Sequence, residues 1–83
     1  PNPFNPSTTI SWTLPRAQNA KMEVFDTRGR HIATLFDEQK PAGPGSVEWN
    51  GTDATGAKVA SGVYLYRLTT DDFEDTKRMV LLK

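Results

Sequence analysis

The sequence predicts an all-β domain, a sandwich of two antiparallel sheets built from about seven short strands. Three observations predict this fold. Several segments alternate between apolar and polar residues, clusters of glycine, proline and aspartate separate them, and no segment keeps the apolar spacing of a helix. The chain has 83 residues, which is enough for one domain with a thin stability margin.

Alternation defines the strands individually. Thr8–Leu14 places Ile10, Trp12 and Leu14 on one face, so that face is predicted to be buried. The final segment is apolar on both faces, which leaves its register open. Prolines, glycines and polar residues at 37–45 predict a loop. The predicted strands are Thr8–Leu14, Ala20–Asp26, His31–Phe36, Val47–Trp49, Lys58–Ala60, Val63–Thr70 and Asp75–Lys83.

Two D-x-x-G segments predict tight turns, at residues 26–29 and 53–56. The carboxylates of Asp26 and Asp53 are placed to accept backbone N–H bonds, and Gly29 and Gly56 allow the positive φ that such a turn requires. Strands of this length, joined by turns of this kind, indicate an immunoglobulin-like antiparallel β-sandwich.

Composition and the available side chains argue against several classes of function. The ten basic and ten acidic residues cancel, so we expect no nucleic-acid binding. No apolar run approaches the roughly 20 residues of a transmembrane helix. The only histidine, His31, follows two arginines and has no evident nucleophile beside it. We therefore expect no enzyme activity and no cofactor.

The residues offer two binding alternatives, a metal site and a carbohydrate site. Asn50 and Asp53 offer oxygen ligands in a glycine-rich loop where calcium would fit, but turns use the same residues without an ion, so no metal site is expected. Exposed tryptophans would indicate a carbohydrate-binding module. Trp12 and Trp49 alternate with aliphatic residues, however, so both are predicted to lie in the core, while the face of Tyr64 and Tyr66 stays open.

Four blocks carry a family resemblance. They are P-N-P-F-N-P-S-T-T-I-S-W-T-L-P, V-F-D-T-R-G-R-H-I-A-T-L, the run V-E-W-N-G-T-D-A-T-G-A-K-V-A-S-G-V-Y-L-Y-R-L, and T-K-R-M-V-L-L-K. Their order resembles the C-terminal sorting domain of type IX secretion cargo proteins over essentially the whole chain. The chain is also similar to the immunoglobulin-like domain of the flagellar hook-capping protein. The W-N-G-T-D-x-x-G loop and the long opening are nearer to the hook-capping variant, and this likeness implies a structural or cell-attachment module.

The resemblance implies a non-catalytic domain that directs secretion and surface attachment of a larger exported protein. Its partners would be the outer-membrane type IX translocation machinery, a sortase-like peptidase and the N-terminal domains of the parent protein. We expect a secreted or cell-surface location and a monomer. The alternative is a carbohydrate-binding or spacer module on a secreted hydrolase. The positions that the resemblance marks for secretion-signal recognition are Pro1, Asn2, Pro3, Gly62, Val63, Tyr64, Lys77, Arg78, Val80 and Lys83.

The domain organisation follows from the prolines. Residues 1–7 contain three prolines, so we expect an extended linker that docks on the domain. Residues 8–83 are predicted to form the single β-sandwich sorting domain. The chain opens with Pro-Asn-Pro and no initiator methionine, and we interpret it as part of a longer protein.

Overall fold

The structure is a computed structural model that describes residues 6–82. It confirms the predicted all-β, immunoglobulin-like sandwich, with two antiparallel sheets and no helix in the described part of the chain. The strands are β1 (Thr8–Leu14), β2 (Gln18–Asp26), β3 (His31–Lys40), β4 (Gly43–Trp49), β5 (Gly62–Thr70) and β6 (Glu74–Leu81).

The chain passes repeatedly between the two sheets. β1 pairs with β4 in a two-stranded sheet, and the four-stranded sheet has the order β3-β2-β5-β6. β6 pairs with β5 from Leu81 opposite Gly62 to Glu74 opposite Thr69. This pairing places the closing strand beside the strand that contains Tyr64 and Tyr66. It also places β6 at one end of its sheet and β3 at the other.

The predicted loop at residues 37–45 was wrong. β3 extends to Lys40, pairing with the first half of β2, and β4 already begins at Gly43. Both β3 and β4 are edge strands, so the polar side chains of these extra residues remain in water and only their backbone needs a partner. Pro44 is accepted in β4 because an edge strand has one side without ladder hydrogen bonds.

The predicted strand at Lys58–Ala60 was also wrong, so the described chain has six strands where about seven were expected. Only an isolated bridge between Thr52 and Lys58 forms in this region. The segment between β4 and β5 crosses from one sheet to the other, which leaves no neighbouring strand along which these residues could extend a ladder.

The two tryptophans differ in their burial. Trp49 is 1% exposed, and its ring meets that of Tyr64 edge-on at 4.9 Å between centroids. Trp12 is half-buried, packing 5.0 Å from the Phe36 ring beneath the Lys40 ammonium. The core prediction is therefore confirmed in full for Trp49 and in part for Trp12. The other large, fully buried apolar side chains are Ile10, Leu14, Met22, Val24 and Leu81.

One buried polar side chain ties the β1–β2 connection to the β5–β6 turn. Gln18 is 1% exposed; its Nε2 donates to the Arg16 carbonyl at 3.2 Å, and its Oε1 accepts from the Asp72 N–H at 3.2 Å. The Arg16 guanidinium also binds both carboxylate oxygens of Asp72, at 2.7 and 2.9 Å. The β5–β6 turn is exposed, but it is anchored by these contacts.

Trp49→Ala should lower the free energy of unfolding by about 3–5 kcal/mol, because it removes a buried ring and leaves a cavity between the sheets. Trp12→Ala should cost clearly less, since its ring is already in partial contact with water. Urea unfolding of the two variants measures both values. An equal or larger loss for Trp12→Ala would contradict this assignment of the core.

Candidate functional site

Within residues 6–82, no strand pairs with the outer side of β6, so this side is a strand edge. The β5–β6 turn closes with the Thr70 N–H donating to the Phe73 carbonyl at 2.8 Å, and the ladder then continues in one register. Hydrogen-bonded pairs alternate along an antiparallel ladder. Residues 75, 77, 79 and 81 therefore direct their backbone groups toward β5. The N–H and C=O groups of residues 74, 76, 78 and 80 point away from the sheet, and we call these groups the β6 edge.

The side chains of β6 divide between core and solvent. Met79 is 9% exposed and Leu81 is fully buried, so the odd-numbered side chains face the other sheet. Val80 and Leu82 are 52% and 75% exposed. Residues 74–78 are exposed on both faces, because the smaller sheet does not cover this end of β6. The strand is therefore held by its last residues and open along its first half.

The charges on β6 are loosely engaged within the chain. Glu74 lies 3.8 Å from Arg67, and Lys77 lies 3.9 Å from Asp75. Within residues 6–82, Arg78 makes no ion pair. Exposed pairs at these distances contribute little to folding, so these charges are available to a partner.

The structure brings together two of the segments marked for recognition. Gly62, Val63 and Tyr64 lie opposite Leu81, Val80 and Met79 in the β5–β6 ladder, which places Val63 next to Val80 on the outer face of the sheet. Lys77 and Arg78 continue the same strand. Pro1, Asn2, Pro3 and Lys83 lie outside the described residues.

Tyr64 supports this surface without being displayed on it. The side chain is 8% exposed, and its hydroxyl donates to the Ala60 carbonyl at 2.6 Å. A docking partner would therefore contact Val63, Arg78 and Val80 on the outer face, while Tyr64 fixes the position of β5 from below.

The first predicted turn has the expected geometry. The Gly29 N–H donates to the Asp26 carbonyl at 3.0 Å, and Gly29 has a φ of 85°. Oδ1 of Asp26 accepts the backbone N–H groups of Arg28 and Arg30, each at 2.9 Å. Hydrogen bonds from the backbone and side chain of Arg30 hold the pKa of Asp26 below its ordinary value.

The second turn repeats this geometry. Gly56 has a φ of 86°, and Oδ1 of Asp53 accepts from the Thr55 hydroxyl at 2.7 Å and from the N–H groups of Thr55 and Ala57. The Thr55 hydroxyl is the main cause of the lowered pKa of Asp53. Asn50 Oδ1 accepts from the Thr52 hydroxyl. The oxygens considered for calcium thus stabilise the loop, and residues 6–82 contain no cluster of three acidic or histidine side chains suited to a metal.

The aromatic side chains between residues 6 and 82 do not form the row that carbohydrate binding requires. Trp49 and Tyr64 are buried, and Trp12 lies flat against β4, since a Cβ added at Gly45 would meet its ring at 2.5 Å. A shallow groove with a volume of about 730 Å³ runs beside Trp12 toward Lys77. Among the residues that the structure describes, Trp12 is the only aromatic one that lines it. One half-buried ring does not provide a stacking platform.

Comparison with known proteins assigns the fold to a family. The model of the FlgD Ig-like domain matches residues 3–73. The chain belongs to the FlgD Ig-like domain family. The family match ends one residue before β6, so the closing strand lies outside it. No curated protein matches the chain. Residues 6–82 contain no helix of the length and apolarity needed to cross a membrane.

Solved structures give the same result. FlgD from P. aeruginosa is 25% identical with a TM-score of 0.72, over 92% of this chain and 59% of that one. FlgD from Xanthomonas campestris, a protein of hook capping in flagellar assembly, is 26% identical with a TM-score of 0.72, over 93% of this chain and 56% of that one. The present chain thus spans a little over half the length of these FlgD proteins. Dimeric latent PorU from Porphyromonas gingivalis shares the fold, at 24% identity and a TM-score of 0.71, over 96% of this chain and 8% of PorU.

Sequence reasoning missed two features that define this site. The side chains of Gln18 and Arg16 anchor the β5–β6 turn through Asp72, and neither has a local sequence signal because the partners are more than 50 residues apart. The position of β6 at the edge was likewise undetermined. The order of charges along β6 was visible in the sequence, but its significance depends on that edge position.

Gly29→Ala should lower the free energy of unfolding by about 1–2 kcal/mol through backbone strain alone. A Cβ at this position meets no atom within 4 Å, so packing does not contribute. Gly29→Asn is the matched control and should cost less, because asparagine tolerates the left-handed conformation. Thermal unfolding of the three proteins tests this, and equal stabilities would refute the strain argument.

Acid should destabilise the fold through Asp26, Asp53 and Asp72, whose pKa values all lie below the ordinary 3.8. For Asp72 the main cause is the hydrogen bond from Arg16. The unfolded chain takes up protons first, so this stability is present above the ordinary pKa and is lost as the pH falls below it. The melting temperature should therefore decline below about pH 4. Asp26→Asn keeps an acceptor but cannot titrate, and should show a shallower decline; an unchanged slope would contradict the role of Asp26.

Proposed function

We propose that this chain is a non-catalytic C-terminal domain that directs type IX secretion of a larger exported protein and its attachment to the cell surface. The observation that carries the proposal is the β6 edge. The closing strand, which the sequence resemblance marks for recognition, lies at the end of its sheet with exposed charges and with outward backbone groups that no strand in the described part of the chain pairs. An extended segment of the outer-membrane translocation machinery can add to such an edge as a further strand.

The fold supports this role by holding the strand in place. Met79 and Leu81 are inserted into the core, while Arg78 and Val80 remain accessible on the outer face. A docking partner therefore meets a strand that is already ordered, which reduces the entropy cost of binding. Lys77 and Arg78 place two positive charges beside the β6 edge, where a docking partner can contact them. A sortase-like peptidase would act on the same domain after translocation.

A structural role is the second candidate. Membership of the FlgD Ig-like domain family favours it, since the FlgD matches are parts of longer proteins. In that case the domain would be a spacer or attachment module of its parent protein. The β6 edge would then have no receptor, and changes to it would leave export unaffected.

The experiment must change the edge without unfolding the domain. Deleting Thr76–Lys83 would remove Met79 and Leu81 from the core, so a loss of export would be ambiguous. Arg78→Pro removes an outward N–H that has no partner in the ladder, and Arg78→Ala removes only the charge. Lys77→Pro is the folding control, because its N–H is directed at β5 and its loss should lower the melting temperature.

Surface exposure of the full-length parent protein is then measured by protease accessibility in a host with type IX machinery. Arg78→Pro should weaken docking by up to about tenfold, the value of one hydrogen bond, and leave the parent protein in the periplasm. Normal export of Arg78→Pro would refute edge docking. Residues 1–83 fused to an exported reporter should carry it to the surface. If the fusion stays inside, the sorting function fails and the structural role is the better assignment.

A further inference from the structure

We propose that the β6 edge pairs with the β6 edge of a second copy of this chain, in an antiparallel register centred on Thr76. The basis is the order of charges. Glu74 and Asp75 precede Thr76, and Lys77 and Arg78 follow it, so the strand reads acid, acid, neutral, base, base. Rotation by two-fold symmetry about Thr76 turns this order into its own complement. The inference is independent of secretion, and it departs from the monomer expected from the sequence.

The backbone fits this register. Centred on Thr76, residue 74 of one copy faces residue 78 of the other, and Thr76 faces Thr76. All three positions direct their N–H and C=O groups outward, so each facing pair can exchange two bonds, about six in all. The side chains of Glu74 and Arg78 lie on the outer face, where each acid meets a base of the other copy.

The intervening positions are also complementary. Asp75 of one copy faces Lys77 of the other in a non-hydrogen-bonded pair, where the Cα atoms approach to about 4.5 Å and the side chains are close. These side chains lie on the face toward the smaller sheet, and both are more than half exposed, at 56% for Asp75 and 62% for Lys77. Every charge from Glu74 to Arg78 thus meets an opposite charge.

The neighbouring registers are disfavoured by the same charges. Centring on Asp75 places that carboxylate opposite itself, and centring on Lys77 or Arg78 does the same for a cation. Like charges directly opposite are destabilising in a sheet. The charge order therefore selects one register, as register selection in strand pairs requires.

The dimer interface would be small, and its affinity would fall as the salt concentration rises. An edge of this length buries much less surface than a standard stable complex, and its ion pairs are exposed. Two-fold pairing consumes the edge of each copy, so the assembly closes at two and does not extend into a fibre. A paired copy would have to separate before another strand could dock at the same edge.

Sedimentation equilibrium of residues 1–83 at low salt tests the pairing with two charge-reversed variants. One carries Lys77→Asp and Arg78→Glu, and the other carries Glu74→Arg and Asp75→Lys. Each variant alone should self-associate at least about tenfold more weakly than the unmodified chain, and an equimolar mixture of the two variants should form heterodimers. Arg28→Glu with Lys58→Asp is the control for net charge, and it should leave the association unchanged. Melting temperatures confirm that each variant folds.

Several outcomes would overturn the proposal. The unmodified chain could be monomeric at every concentration reached. Either variant could self-associate as tightly as the unmodified chain, or the mixture of the two could stay monomeric. The register has its own test, because the sequence contains no cysteine. Thr76→Cys should be linked rapidly between copies by a short bifunctional thiol reagent. Val80→Cys should not, since those positions would lie roughly 27 Å apart. Equal linking of the two would refute a centre at Thr76.

Discussion

The contact between Trp49 and Tyr64 is the interaction on which the rest of the fold depends. Trp49 ends β4 in the smaller sheet, Tyr64 lies in β5 of the larger sheet, and their rings meet edge-on at 4.9 Å. Each ring also donates a hydrogen bond to a backbone carbonyl. The Trp49 indole N–H donates to the Thr52 carbonyl and the Tyr64 hydroxyl donates to the Ala60 carbonyl. One aromatic pair therefore joins the two sheets and fixes both ends of the irregular segment between them.

That segment determines the position of β6. Gly51 is buried within it, so close to Leu81 that an added Cβ would lie 2.9 Å from that side chain. Tyr64 in turn faces Met79 across the β5–β6 ladder. The final residues of β6 are thus held by the aromatic pair and by the backbone that this pair fixes. The first half of β6 has no such cover, and this asymmetry leaves a firmly held strand with an open edge.

The parts of this fold that sequence could predict are those with a local cause. Alternation of Ile10 and Leu14 placed β1, and the D-x-x-G pattern predicted both turns, because an aspartate and a glycine three positions apart satisfy the turn by themselves. Polar residues at 37–40 form strand only because β2 offers a backbone partner. For β6, Met79 and Val80 are equally apolar, and pairing with β5 decides which is buried. The candidate site depends on this non-local register. The sequence therefore indicated which residues belong to the site, but it could not predict which of them are exposed.

The charge order on β6 also restricts which strands can add to it. Parallel, in-register stacking of identical copies, the arrangement of amyloid, would place Glu74 on Glu74 and Arg78 on Arg78. A strand of another protein that adds to this edge, whether antiparallel or parallel, must place cations opposite Glu74 and Asp75 and anions opposite Lys77 and Arg78. Beyond Arg78 it must offer apolar side chains to Val80 and Leu82. The same few residues therefore protect an open edge from unspecific pairing and restrict the chemistry of any strand that could add to it.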